Sequence, residues 1–351
     1  MKNNLFRQLV ATPAGAGAFL LLAALYFAAA LAPFLAPYSV SEQDLTRTYH
    51  PPCRLLWKDG RVHVQLYWNK DRTASAYEPV AGQTAPVAFF VPTQKNEKIL
   101  GFIPCAWRFF SVEHPARIYL LGSDSTGRDV FSRLLYGAQI SLSIGLIGIC
   151  ITFFLGICVG GLAGYFGGIF DHAAMRLTEW LMAIPGLYLL LSLRSALSSK
   201  FSDSGQIYIM IVLILSLLGW AGTARVIRGL TLSLRNRTFV QASEALGQTP
   251  WRILWLHLLP NLFSYLVVSA TLSIPGYILG EAALSFLGIG IQEPSSSWGL
   301  MLSQAQEMKV FMLNFWWLLT PGAAIVTTVI LFNILGDRLR DIVDPKFRMT
   351  P

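Results

Sequence analysis

Gln241-Ala-Ser-Glu-Ala-Leu-Gly-Gln-Thr-Pro-Trp-Arg-Ile-Leu-Trp-Leu-His-Leu-Leu-Pro-Asn261 is a polar, helix-prone segment between two long apolar runs. Those runs, Gln206–Val226 and Leu262–Leu287, are each long enough to cross a bilayer at about 1.5 Å per residue. A short basic-flanked loop between spans is readable by a partner outside the membrane. The pattern points to a membrane protein moved by something else.

Four further runs have the same character: Ala14–Leu35, Ile140–Phe166, Leu177–Leu197 and Phe315–Leu335. The expected fold is therefore an all-α membrane protein with six transmembrane helices. Composition agrees. Of 351 residues, 54% are hydrophobic and only 13% charged, against about 25% charged in a soluble domain. Mean hydropathy is +0.52. The net charge of +8 does not indicate nucleic acid, because no basic-aromatic reading face accompanies it. The apolar first run is too long for a signal-peptide core, and we read it as a retained helix.

Basic residues set the orientation. Lys2 and Arg7, Arg176, the group Arg225, Arg228, Arg235, Arg237 and Arg252, and the terminal Arg338, Arg340, Lys346 and Arg348 fall on one side if the N-terminus is inside. That side reads as cytoplasmic. Both termini are then cytoplasmic. Residues 1–36 form the N-terminus and first span, 37–120 an external insertion, and 121–351 a five-helix core with a cytoplasmic loop at 227–261. The insertion is too long for a structureless loop. Asp59-Gly60 followed by the alternating Arg61-Val-His-Val-Gln-Leu-Tyr-Trp68 reads as a turn and strand, and Pro86–Pro92 as another. We expect a small β-rich external domain whose core is supplied by Trp57, Tyr67, Trp68, Phe89, Phe90, Trp107, Phe109 and Phe110. Cys53 and Cys105 lie in this insertion, where a disulfide is chemically allowed, though spacing alone does not pair cysteines.

The motifs have mostly structural readings. In Leu121-Gly-Ser-Asp-Ser-Thr-Gly-Arg-Asp-Val-Phe-Ser-Arg-Leu-Leu-Tyr-Gly137, Asp124 can cap a turn, and Gly122 and Gly127 permit tight backbone. Arg128 and Asp129 complete this external elbow. Gly160–Gly168 supplies small residues for close helix approach. Pro185-Gly186 should kink or interrupt the third run. Glu281 falls near the far end of the fifth run, and we read it as an interfacial structural acid rather than a proton relay. No histidine or cysteine pattern fits a metal site, no Walker lysine is present, and no catalytic constellation or cofactor cradle is expected.

In the opening segment, Phe239, Ala242, Ala245 and Leu246 share one helical face. Gly247 can end that helix, Thr249 can cap a second one starting at Pro250, and Pro260 should close it. Trp251, Leu254, Trp255 and Leu258 would give the second helix an apolar face. A docking knob and a connector lying on lipid headgroups are both open on these residues alone.

The same segment, with His257-Leu-Leu-Pro-Asn261, resembles the coupling loop of inner-membrane permeases of binding-protein-dependent ABC importers. Leu121–Leu146 resembles the LGTDxxGRDxxSRLLYGARISLxIG run of the peptide-permease branch. Gly164-Tyr-Phe-Gly-Gly-Ile-Phe-Asp171 with Met175-Arg176, Glu281–Gly290 with Trp298-Gly299, and Gly336-Asp337-Arg338 with Asp341, Asp344 and Pro345 are similar to further family segments. The resemblance is to the "C"-type subunit of a dipeptide/oligopeptide permease. It implies a non-catalytic permease that pairs with a homologous second permease, two cytoplasmic ATPase subunits and an external substrate-binding protein. It also implies that Gln241, Ala242, Ser243, Glu244, Ala245, Leu246, Gly247 and Pro260 belong to the ATPase-coupling loop. The family usually has Glu-Ala-Ala where this chain has Gln241-Ala242-Ser243, so Glu244 is the only nearby acid. Peptides are the expected solute; nickel, glutathione and peptide-like antibiotics are carried by close relatives. A proton-coupled secondary transporter and a membrane-anchored receptor fit the sequence less well.

Overall fold

The computed structural model describes residues 2–71, 76–99, 101–197, 203–307, 310 and 312–343. Asp344 and Pro345 of the terminal motif lie outside the described residues. The helices in chain order are α1 (Lys2–Ala11), α2 (Pro13–Ala30) and α3 (Ala32–Leu35), then, after the sheet, α4 (Val130–Phe166), α5 (Gly168–Ala183), α6 (Gly186–Leu197) and α7 (Ser204–Arg235). They continue as α8 (Thr238–Ala245), α9 (Pro250–Ile253), α10 (Leu259–Phe286), α11 (Trp298–Gln304) and α12 (Thr320–Val343).

Among the described residues, five helical stretches are long and apolar enough to cross a membrane: Pro13–Ala30, Val130–Phe166, Ser204–Arg235, Pro250–Phe286 and Trp316–Val343. The third apolar run is absent from this set because it is broken. Pro185 has no N–H to give and its ring crowds the preceding turn. Ile184 takes an extended φ of −85° and ψ of 126°, so α5 ends at Ala183 and α6 starts afresh at Gly186. Two short helices stand where one span was expected.

The described chain forms two compact units. One comprises residues 1–21, 144–280 and 328–351; the other comprises residues 22–143 and 281–327. In the first, α4 approaches α7 through small residues. A Cβ on Gly164 would sit 2.7 Å from the Arg228 carbonyl oxygen, and one on Gly160 would strike the Ala224 backbone. Trp220, Ala221 and Ala224 form the buried face of α7 there. Asp171 of α5 accepts two hydrogen bonds from the Arg228 guanidinium of α7.

The second unit holds the only sheet among the described residues. Its strands β1 (Leu55–Lys58), β2 (Arg61–Asp71), β3 (Ala76–Ile99) and β4 (Ile103–Val112) pair antiparallel in sequence order. Asp59 and Gly60, both at positive φ (51° and 73°), make the tight turn between β1 and β2, as Asp-Gly commonly does in hairpins. The expected aromatic core is not what fills this unit. Strand alternation turns Val64 and Val87 inward, where they pack with Tyr38 and Ile118. Trp57, Trp68, Phe89, Phe90 and Trp107 are exposed instead. Phe110 alone of the named aromatics packs against that core. Cys53 and Cys105 are free thiols with separate partners. The Cys53 Sγ accepts from the Tyr119 N–H at 3.4 Å, and the Cys105 thiol bonds the Trp107 carbonyl at 3.1 Å. Burial pushes the Cys53 thiol up to about 11.

Candidate functional site

The segment that opened the sequence reading lies wholly in the first unit and folds as a bent pair of helices. α8 ends in a complete left-handed corner. The Gln248 N–H reaches the Ser243 carbonyl at 3.1 Å, and the Gly247 N–H reaches the Glu244 carbonyl at 2.9 Å. Gly247 sits at φ +72°, which is the αL position such a corner requires. A side chain at Gly247 would meet nothing within 4 Å, so the corner's outer side is open.

The knob's root is apolar. Val240, Ile253, Leu254 and Leu258 are buried with Tyr165 of α4, and Leu162 and Leu234 pack against them. The face predicted from Phe239, Ala242, Ala245 and Leu246 is real but points outward; Leu246 is 80% exposed. The inward positions are Val240 and Ser243, one residue away in phase. The second predicted face is split: Leu254 and Leu258 are buried, whereas Trp251 and Trp255 are exposed. Glu244 accepts a hydrogen bond from the Tyr165 hydroxyl at 3.1 Å, and Arg235 lies 5.7 Å above the same ring. Gln241 is exposed.

Two expectations for the second helix need correction. Thr249 occupies the N-cap place at φ −67° and ψ 146° but makes no side-chain capping bond. Pro260 does not close the helix. The backbone widens to a π turn at Leu254–Leu258, with the Leu259 N–H bonding the Leu254 carbonyl, and α10 runs on through Pro260 to Phe286. A π turn displaces the carbonyl that a proline ring would otherwise strike one turn back, which is how Pro260 is carried inside a continuous helix.

The elbow is an ion-pair network in the second unit. Asp124 Oδ1 accepts from the backbone N–H of Thr126 at 2.8 Å and of Arg128 at 3.0 Å. Its Oδ2 takes Arg128 Nε at 2.8 Å and Arg133 Nη1 at 2.6 Å. Both arginines continue to Glu293, at 2.6 Å from Arg128 and 2.9 Å from Arg133. Burial by itself would raise the Asp124 carboxyl, but the two guanidinium groups and the backbone donors hold it below its ordinary value. Asp124 thus caps the turn, and Asp129 caps α4: its Oδ2 accepts from the Ser132 N–H at 2.7 Å and hydroxyl at 2.6 Å. Burial lifts the Asp129 carboxyl to about 7 despite those bonds. Gly122 and Gly127 both lie at positive φ, and a side chain on Gly127 would strike the Asp44 backbone.

Glu281, five residues from the end of α10 at Phe286, is fully buried in the second unit. Its carboxylate accepts from the Ser141 hydroxyl at 2.9 Å and the Ser285 hydroxyl at 2.7 Å. Each serine oxygen in turn accepts a backbone N–H, Trp298 at 3.1 Å and Ile291 at 3.0 Å. The acid thus anchors two backbone segments through hydroxyl relays. Arg133, Glu293, Tyr165 and Ser141 were not singled out from sequence, because each has a partner far along the chain: Tyr165 to Glu244 spans 79 residues, Ser141 to Glu281 140, and Arg133 to Glu293 160. Among the described residues no group of three His, Cys, Asp or Glu side chains could hold a metal ion.

Residues 156–349 match the model of binding-protein-dependent transport system inner membrane components. Residues 4–52 match that of the N-terminal transmembrane domain of oligopeptide transport permease C. The dipeptide transport system permease protein of Bacillus subtilis is 39% identical over 235 residues, 67% of this chain and 71% of that protein. The oligopeptide transport system permease protein of Haemophilus influenzae is 38% identical over 301 residues, 84% of this chain and 90% of that protein. The glutathione transport system permease protein of Pectobacterium atrosepticum is 36% identical over 236 residues, 67% of this chain and 75% of that protein. An inward-facing form of the MetNI methionine ABC transporter aligns with a TM-score of 0.48 at 20% identity, over 61% of this chain and 97% of that one.

Proposed function

The chain belongs to the family of binding-protein-dependent transport system inner membrane components, and from that premise we propose that it is the C-type permease subunit of an ABC importer for di- and oligopeptides. Relatives named for dipeptide, oligopeptide and glutathione transport support a peptide solute. The chain is a transport component and not itself a catalyst; ATP is hydrolysed by two partner ATPases, and an external binding protein delivers the solute. A homologous second permease supplies the other half of the path.

In this reading α5 and α6 together make the third crossing, broken at Pro185, which brings the five long stretches to six spans. Both termini and the 227–261 loop face the cytoplasm. Residues 37–120 form the external insertion, and 121–351 the permease core. The observation that carries the coupling role is the knob itself: an outward apolar face at Ala242, Ala245 and Leu246, an open left-handed corner at Gly247, and a root buried against Tyr165. Such a shape transmits force because its tip is free for a partner while its base is fixed to α4. Gln241 offers no charge, and Glu244 is held by Tyr165, so the grip rests on shape and apolar contact.

A test is to introduce a cysteine at Leu246 and cross-link membranes containing the whole transporter. A disulfide adduct to an ATPase subunit supports the reading; recovery of the permease free of ATPase, both by cross-link and by co-purification, would sink it. The buried Glu281 does not favour proton coupling, because both carboxylate oxygens are engaged by hydroxyls that also hold backbone.

A further inference from the structure

The sheet carries aromatic side chains that its own core does not use. Phe89, Phe90, Phe102 and Trp107 are all at least half exposed. Phe90 and Trp107, with Phe34 of α3, Ile99 and Pro104, line an open apolar groove of about 510 Å³. Phe34 ties the groove to the first span: its ring lies 6.2 Å from that of Phe90 and 5.8 Å from that of Phe109.

The position of Phe34 follows from helix phase. The Leu31 N–H bonds the Phe27 carbonyl at 3.0 Å and the Leu35 N–H bonds the Leu31 carbonyl at 2.9 Å, so the ladder runs from α2 into α3. Seven residues separate Phe27 from Phe34, which is two turns and about 10 Å of rise. Both rings therefore lie on one stripe. Phe27 is 66% exposed on an apolar span, so that stripe is left uncovered by the rest of the chain. The groove begins at Phe34, about one turn beyond the end of that span at Ala30, and aromatic side chains concentrate at span ends in membrane proteins.

Phe90 adds an independent observation. It takes φ +53°, a left-handed conformation that is unfavourable for a bulky aromatic residue. The strain presents a ring that is 58% exposed, so the protein's own packing rewards it little. An apolar phase outside the protein would reward it.

We propose that this face is a membrane foot, with Phe89, Phe90, Phe102 and Trp107 seated among the headgroups of the leaflet where the first span emerges, and with the groove holding the upper part of a phospholipid acyl chain. Among the described residues no charged side chain lines the groove, and the surface continues the stripe of Phe27; both favour lipid over a soluble protein partner. The inference rests on the bilayer placement of the first span and not on the peptide solute.

The test places the photo-cross-linker p-benzoylphenylalanine singly at Phe27, Trp107 or Trp57 of the full chain. The whole transporter is irradiated in vesicles of phosphatidylethanolamine and phosphatidylglycerol, and adducts are weighed by mass spectrometry. Lipid adducts at Phe27 and Trp107, and none at the off-groove Trp57, are expected. A lipid adduct at Phe27 without one at Trp107, a protein adduct at Trp107, or equal labelling at Trp57 overturns the foot. Absence of lipid at Phe27 removes the span placement and the foot with it. As a second readout, Trp107→Phe should lose part of the fluorescence quenching given by lipids brominated near the glycerol end. Unchanged quenching overturns the proposal in the same way.

Discussion

Replacing Gly247 with aspartate separates folding from coupling. At φ +72° a non-glycine residue costs about 1–2 kcal/mol, less for aspartate, which tolerates the left-handed region. Nothing lies within 4 Å of the added Cβ, so no clash adds to that cost. Insertion and fold should survive. Docking is another matter. If the corner is desolvated against a partner, an unpaired carboxylate there costs about 3–4 kcal/mol. At about 1.4 kcal/mol per tenfold, that weakens engagement by roughly 10²- to 10³-fold. Gly247→Asn is the control, since it keeps the backbone strain and removes the charge. The assay compares solute uptake and binding-protein-stimulated ATPase activity in vesicles at matched permease levels. We expect Gly247→Asp to abolish uptake and Gly247→Asn to retain most of it. Normal uptake by Gly247→Asp would refute the coupling role. Equal loss in both variants would assign the effect to strain.

Three further outcomes follow from the second unit. Ser141→Ala removes a bond to Glu281 and orphans the Trp298 N–H, so it should lower stability by about 1–3 kcal/mol, read from melting of the detergent-solubilised protein. Arg133→Leu strips a buried pair from Asp124 and should cost about 3–5 kcal/mol; Glu293→Gln, whose side chain is 39% exposed, should cost less than about 1 kcal/mol in the same melt. Burial holds the His50 imidazole down to about 4, from an ordinary 6.5, so the unfolded chain binds the extra proton first as pH falls. Its share of stability is complete above pH 6.5 and declines towards pH 4, and His50→Asn should flatten that part of the pH profile.

What could be read from sequence was local. Gly247, Pro250 and the Asp59-Gly60 turn act through their own backbone preferences, and the structure places each in the expected conformation. Pro185 was legible as an interruption, and the break at Ile184 follows the same rule. What escaped depends on partners far along the chain. The facing of α8 is set by packing on Tyr165, which turns Val240 and Ser243 inward and leaves Ala242 and Leu246 out. Counting residues put Glu281 near the end of its helix, but counting has no access to its partner Ser141, 140 residues away. The aromatics of the insertion were assigned to its core on hydrophobicity alone; alternation along β2 and β3 gave that place to Val64 and Val87.

The π turn at Leu254–Leu258 acts as a phase correction. One surplus residue rotates everything before it by about 100° relative to everything after it. The azimuth of the knob and the azimuth of α10 are thus set independently, by a single residue count. Deleting one residue from that stretch would return the ladder to ordinary α spacing and bring a carbonyl against the Pro260 ring. Such a deletion would turn the knob on its stem without altering any side chain at its tip.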